Sequence, residues 1–114
     1  MLKLKPGVDC SKIQPELLLG LMLAEGVFRF YDHDCIVTAL RDGKHRPNSL
    51  HQRDGLCRAA DLRSNLIPAE IAANLVRDIK ECAGWDFDVL LEGANTPNEH
   101  IHLEYDPKTR TTTG

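Results

Sequence analysis

Phe87-Asp-Val-Leu-Leu-Glu-Gly-Ala-Asn-Thr-Pro-Asn-Glu-His-Ile-His-Leu-Glu-Tyr105 holds two alternating apolar runs around one cluster of turn residues. Phe87, Val89 and Leu91 alternate with Asp86, Asp88 and Leu90, while Ile101, Leu103 and Tyr105 alternate with His100, His102 and Glu104. A strand turns successive side chains to opposite faces, so each run predicts a strand with one buried face. Gly93 to Asn98 supplies the turn residues between them. Ile101, Leu103 and Tyr105 are the expected core side of the last strand, which leaves His100, His102 and Glu104 on the other.

Upstream of this pair, Pro68 opens a helix whose expected buried face is Ile71, Leu75, Ile79 and Cys82, with Gly84 placed to end it. Leu56 to Leu62 is short and mixed and predicts a strand. Arg41 to Ser49 is polar, with Gly43 and Pro47 as breakers, and predicts a loop. The β-branched run Ile36-Val-Thr38 predicts a strand before it. Pro15 suits a first helical turn, and Glu16 suits the positive end of a helix. Leu17, Leu21, Ala24, Phe28 and Tyr31 recur at three- and four-residue steps, so this helix should run to about Asp32. Pro107 stops the last strand, and Lys108 to Gly114 is a polar tail. The sum is a small α+β domain over residues 1–107, with a mainly antiparallel sheet and two main helices.

A chain of 114 residues makes one domain, and 42% apolar with 27% charged residues is an ordinary globular balance that excludes a disordered protein. The longest apolar stretch, Leu17 to Met22, is too short to span a membrane. Met1 to Gly7 has no apolar run of the secretory kind, so synthesis in a cytoplasm is expected. Fourteen Lys+Arg against seventeen Asp+Glu give a net charge of −3, which argues against a dedicated nucleic-acid binder. Cys10, Cys35, Cys57 and Cys82 form no Cys-x-x-Cys pair, so reduced and mostly buried thiols are expected, and no zinc ribbon.

Three histidines invite a metal. His51 follows the polar loop, Asp61 lies downstream of it, and His102 shares a strand face with His100. Two imidazoles and one carboxylate make a catalytic zinc set with a fourth position open to water. Glu99 is the carboxylate placed to take a proton from that water. A strict strand would point residues 99 and 102 to opposite faces, so Glu99 has to sit in the turn after Pro97-Asn98. The plainer readings stay open at this point: a His-x-His on a strand is often a surface pair, and Asp61 has Arg58 and Arg63 as ready partners.

In order along the chain, Ser49-Leu50-His51, Gly55, Ala59-Ala60-Asp61-Leu62-Arg63 and Glu99-His100-Ile101-His102 resemble the zinc D-Ala-D-Ala carboxypeptidases and L-alanyl-D-glutamate endopeptidases. That family's pattern is Ser-x-His-x-x-Gly-x-Ala-x-Asp, followed late in the chain by Glu/Asp-x-x-His. Val37-Thr38, Asp42-Gly-Lys-His45 and Phe87-Asp-Val-Leu-Leu-Glu92 resemble the flanks in short phage-encoded members. The resemblance runs from about Ile36 to Pro107.

It implies zinc held by His51, Asp61 and His102, with Glu99 as general base and His100 contacting substrate or the tetrahedral intermediate. It also implies Ser49 beside the substrate, and Arg41, with Lys44 or Arg46 as stand-ins, polarising the scissile carbonyl. The interval from His51 to Asp61 is three residues longer than the family's, through Gln52-Arg53-Asp54 and Cys57-Arg58, and Thr38-Ala39 replaces a frequent Thr-Ser. Asp54 is the alternative carboxylate ligand, but Ala-Ala-Asp-Leu-Arg favours Asp61. The implied activity is hydrolysis of a peptidoglycan stem peptide by a monomer of endolysin type, with no nucleic-acid partner, reaching the cell wall after release. A non-catalytic zinc-binding protein that keeps the fold is the rival.

Overall fold

The hairpin predicted from alternation is present: β4 (Phe87–Glu92) and β5 (His100–Tyr105) pair antiparallel, with Phe87 opposite Tyr105 and Glu92 opposite His100. The computed structural model describes residues 1–41 and 56–108. Before the hairpin come β1 (Leu2–Leu4), α1 (Pro15–Phe30), β2 (Cys35–Arg41), β3 (Ala59–Arg63) and α2 (Ala69–Ala83). They build one five-stranded sheet in the order β1-β2-β3-β5-β4, parallel between β1 and β2 and antiparallel elsewhere. The α+β class read from the sequence is the class observed.

Both helices start where a proline fixes the backbone, at Pro15 in the first turn of α1 and at Pro68 preceding α2. Gly84 ends α2 at a positive φ of 86°, a conformation that costs a residue without Cβ little. Leu17, Leu21, Ala24 and Phe28 of α1 and Leu75 and Ile79 of α2 are buried against Cys35, Val37, Ala60, Leu62, Val89, Ile101 and Leu103 of the sheet. The Tyr31 hydroxyl donates to Asp78, tying the end of α1 to α2. Gly20 lets α1 pass close to the hairpin, since a Cβ there would lie 2.5 Å from the Phe87 ring. The Phe87 ring in turn packs on Tyr105, with centroids 5.4 Å apart.

Several expectations need correcting. β1 was not anticipated, because a three-residue strand carries too little alternation to read; it adds to the sheet through Leu2 opposite Cys35. β2 continues to Arg41, where the sequence suggested a loop. Cys82 is exposed, because the stripe from the half-buried Ile71 through the buried Leu75 and Ile79 advances in steps of four to the half-buried Ala83. The thiols are not mostly buried: Cys35 is, Cys57 is intermediate, and Cys10 and Cys82 are exposed. No helix among the described residues is long and apolar enough to cross a membrane.

Candidate metal and substrate cleft

The register between β2, β3, β5 and β4 decides which polar side chains meet. Ala60 and Leu62 of β3 and Ile101 and Leu103 of β5 face the core, so alternation sends Asp61, His100, His102 and Glu104 to the opposite face. There Ala39, Asp61, His102 and Leu90 align across four strands, and Arg63, His100 and Glu92 form the next row. The pairing of β2 with β3 shifts between Val37 and Ala39, and beyond the shift Arg41 lies opposite Ala59, beside Asp61. Sequence-distant charged groups therefore converge through ordinary strand pairing.

Asp61 is 3% exposed, and its two carboxylate oxygens have different neighbours. Oδ2 takes Arg41 Nη2 at 2.7 Å, whereas Oδ1 lies 3.2 Å from His102 Nδ1 and 3.7 Å from His100 Nε2. Burial would raise its carboxyl, but the His102 hydrogen bond and the charges of His100, Arg41 and His102 outweigh that and hold it below the usual range. His102, 8% exposed, is held at both ring nitrogens, with Glu104 Oε1 2.9 Å from Nε2. Hydrogen bonds to Asp61 and then Glu104 raise the imidazole to about 9 against the effect of burial. The sequence placed His102 and Glu104 on the non-core face, and the structure buries them there because they lie in one carboxylate–imidazole network on an interior strand.

Glu99 sits in the turn just before β5, the position that geometry demanded of it. Gly93 and Asn95 take positive φ values of 64° and 65°, which fold the turn back tightly. Thr96 caps it, donating through Oγ1 to the Gly93 carbonyl at 2.7 Å. Glu99 then accepts from Ser64 Oγ at 2.9 Å and from the Asn95 amide at 3.2 Å. Ser64 is fully buried immediately after β3, so this carboxylate is anchored to the strand that carries Asp61.

A cleft of roughly 470 Å³ opens between these elements, lined by Thr38, Arg41, Asp61, Arg63, Glu99 and His100 among others. Three groups in this region, Asp61, Glu92 and His100, bring one ligand atom each within 4.8 Å of one another and could hold a metal ion. Of the residues singled out from the sequence, Arg41, Asp61, Glu99, His100 and His102 meet around this face. Lys44, Arg46, Ser49, His51 and Asp54 lie outside the described residues. Glu92, Glu104 and Ser64 were not singled out. Glu104 carried a signal, since it continues the His100–His102 alternation, but Glu92 depends on a hairpin register that the sequence does not specify. A second group, Asp88, Glu104 and Asp106, has Lys108 Nζ 2.9 Å from Asp88 and 3.5 Å from Asp106.

Comparison of the chain with protein-family models, with curated proteins and with solved structures gave no match in any of the three.

Proposed function

We propose that this domain is a zinc-dependent peptidase that hydrolyses a peptide bond in a bacterial peptidoglycan stem peptide, as a D-Ala-D-Ala carboxypeptidase or an L-Ala-D-Glu endopeptidase. The observation that carries the reading is the register pair of Asp61 with His102, with Glu99 in the turn at the mouth of the same cleft. A peptidase centre built from the motif residues requires Asp61 and His102 side by side and Glu99 lining the cleft that Asp61 also lines.

The donor set suits zinc, whose ordinary ligands are imidazole nitrogen and carboxylate oxygen. Asp61 and His102 would hold it together with His51. When bound, zinc supplies a Lewis acid beside the scissile carbonyl and acidifies a water molecule to a pKa of roughly 7. The chain's own groups do the rest. Glu99, fixed by Ser64 and the Asn95 amide, accepts the proton of the attacking water and returns it to the leaving amine. Arg41 stands at the rim with its guanidinium on Asp61 Oδ2, where its charge faces a carbonyl oxygen or a stem-peptide carboxylate entering the cleft. Ser49, Lys44 and Arg46 take the substrate-contacting roles that the resemblance implies.

A second reading, a zinc-binding structural or interaction protein without activity, is favoured by the complete pairing of the site. Arg41 neutralises Asp61, and both ring nitrogens of His102 face carboxylates. Digestion of purified muropeptides followed by mass spectrometry separates the two. The peptidase reading expects loss of a terminal D-Ala or scission between L-Ala and D-Glu by the zinc-loaded protein, abolished by a chelator. Zinc-loaded protein that leaves every muropeptide intact supports the second reading, and protein that takes up no zinc removes both.

A further inference from the structure

His100 and His102 each offer one ring nitrogen to the same pair of carboxylate oxygens. Nδ1 of His100 lies 2.7 Å from the Asn98 carbonyl oxygen. A carbonyl only accepts, so Nδ1 carries hydrogen there and the lone pair of the neutral ring sits on Nε2. That Nε2 is 3.1 Å from Glu92 Oε1 and 3.7 Å from Asp61 Oδ1. His102 is arranged the other way round: Nε2 lies 2.9 Å from Glu104 Oε1, so a cation that displaced the proton on Nδ1 would meet a ring still held on its far side by Nε2–H. This Nδ1 is 3.2 Å from Asp61 Oδ1 and 3.8 Å from Glu92 Oε1.

We infer that Glu92 and His100 are metal ligands alongside Asp61 and His102, so that β3, β4 and β5 together form a two-histidine, two-carboxylate site for a divalent cation, zinc first among them. The spacing fits that ion. Ligand atoms about 2.0–2.1 Å from zinc at the corners of a tetrahedron stand about 3.3 Å apart. The four nitrogen–oxygen separations, 3.1, 3.2, 3.7 and 3.8 Å, bracket that value; Asp61, Glu92 and His100 lie mutually within 4.8 Å, and His102 joins them through the two carboxylates rather than through His100. Each ring is oriented on its far side by a pure acceptor, the Asn98 carbonyl and the Glu104 carboxylate. Such outer partners fix the tautomer of histidine ligands in metal sites. The Thr96-capped turn that places Asn98 thereby aims His100 at the cation. His100 is a ligand in this arrangement, not the substrate contact that the resemblance implied.

The inference rests on the metal-centre part of the proposed function but not on hydrolysis, and it names a donor set that closes within the described residues. Zinc competition against a chromophoric chelator tests it, using the full chain, Glu92→Gln, His100→Ala and His51→Ala, each checked for folding by circular dichroism. Glu92→Gln and His100→Ala should each weaken zinc binding by about tenfold or more, a loss at least as large as that from removing an orienting partner. Cobalt(II) substitution adds a readout that loss of a nearby charge would not move: both variants should change the visible d–d bands.

Zinc affinity and cobalt spectra at wild-type levels in either variant overturn the inference. Should that happen while His51→Ala abolishes binding, the peptidase ligand triad still stands. Loss of binding in Glu92→Gln and His100→Ala but not in His51→Ala upholds the inference and removes the triad. No zinc uptake by the wild-type chain overturns both.

Discussion

Asp61 and His102 occupy one register pair of β3 and β5, and the carboxylate divides its oxygens, Oδ1 toward the His102 ring and Oδ2 toward Arg41. Replacing Asp61 by Ala therefore removes the carboxylate proposed to hold the metal and also leaves His102 Nδ1 buried with its nearest acceptor gone. The unsatisfied buried group should cost roughly 1–3 kcal/mol. Urea denaturation should show that loss, and chelator competition should show weakened zinc binding. Asp54→Ala should leave both measurements near wild type, and the opposite ranking would make Asp54 the ligand.

Glu99→Gln should keep the fold and the zinc yet lose hydrolysis. The amide is nearly isosteric, and its oxygen still accepts from Ser64 or the Asn95 amide, but it cannot take up a proton from water. General-base catalysis contributes typically 10²–10⁴-fold, so turnover on muropeptides should fall by about that factor. Wild-type turnover in this variant would remove Glu99 from the mechanism.

Gly20→Ala tests the close approach of α1 to the hairpin. Alanine favours a helix over glycine by roughly 0.5–1 kcal/mol. The added methyl, however, would stand 2.5 Å from a Phe87 ring that already rests on Tyr105. Overpacking of this kind costs typically about 1–3 kcal/mol, so net destabilisation is expected. A rise in the thermal midpoint would show that Phe87 moves aside freely.

The thiols should divide by burial. Burial first, then the nearby Glu25 carboxylate, pushes the Cys35 thiol up to about 12, so at pH 8 it is protonated as well as inaccessible. Cys10 and Cys82, both exposed, should be alkylated in the native protein, and Cys35 only after denaturation. Mass mapping of iodoacetamide adducts before and after guanidine treatment reads this directly; native labelling of Cys35 would contradict its place in the core.

Periodicity was enough to read the two helices and the β4–β5 hairpin, because Leu17 to Phe28, Ile71 to Ile79 and Val89 to Leu103 each bury one side against the shared core. It failed at β1, whose three residues gain their order from pairing with β2 and not from their own pattern. At the site, the sequence order singled out Asp61, Glu99, His100 and His102, which strand pairing and the turn before β5 bring to one region, and the geometric demand on Glu99 followed from the two-residue period alone. Glu92 and Ser64 were beyond reach for a different reason. Glu92 meets His100 only through the hairpin register, and Ser64 meets Glu99 only because the turn between β4 and β5 brings Glu99 back to the end of β3. Both are contacts between strands, and one chain read in isolation does not specify alignment across strands.

β3 and β5 are hydrogen-bonded on both flanks, β3 by β2 and β5, β5 by β3 and β4. Asp61 and His102 thus belong to the part of the molecule that opens last, and their backbone amides should exchange with solvent only at the rate of whole-domain unfolding. Assembling the cleft and folding the chain then become a single equilibrium. A cation that binds only the assembled cleft, present at a hundred times its dissociation constant, would add about 2.7 kcal/mol to the stability of every element, including helices that never touch it.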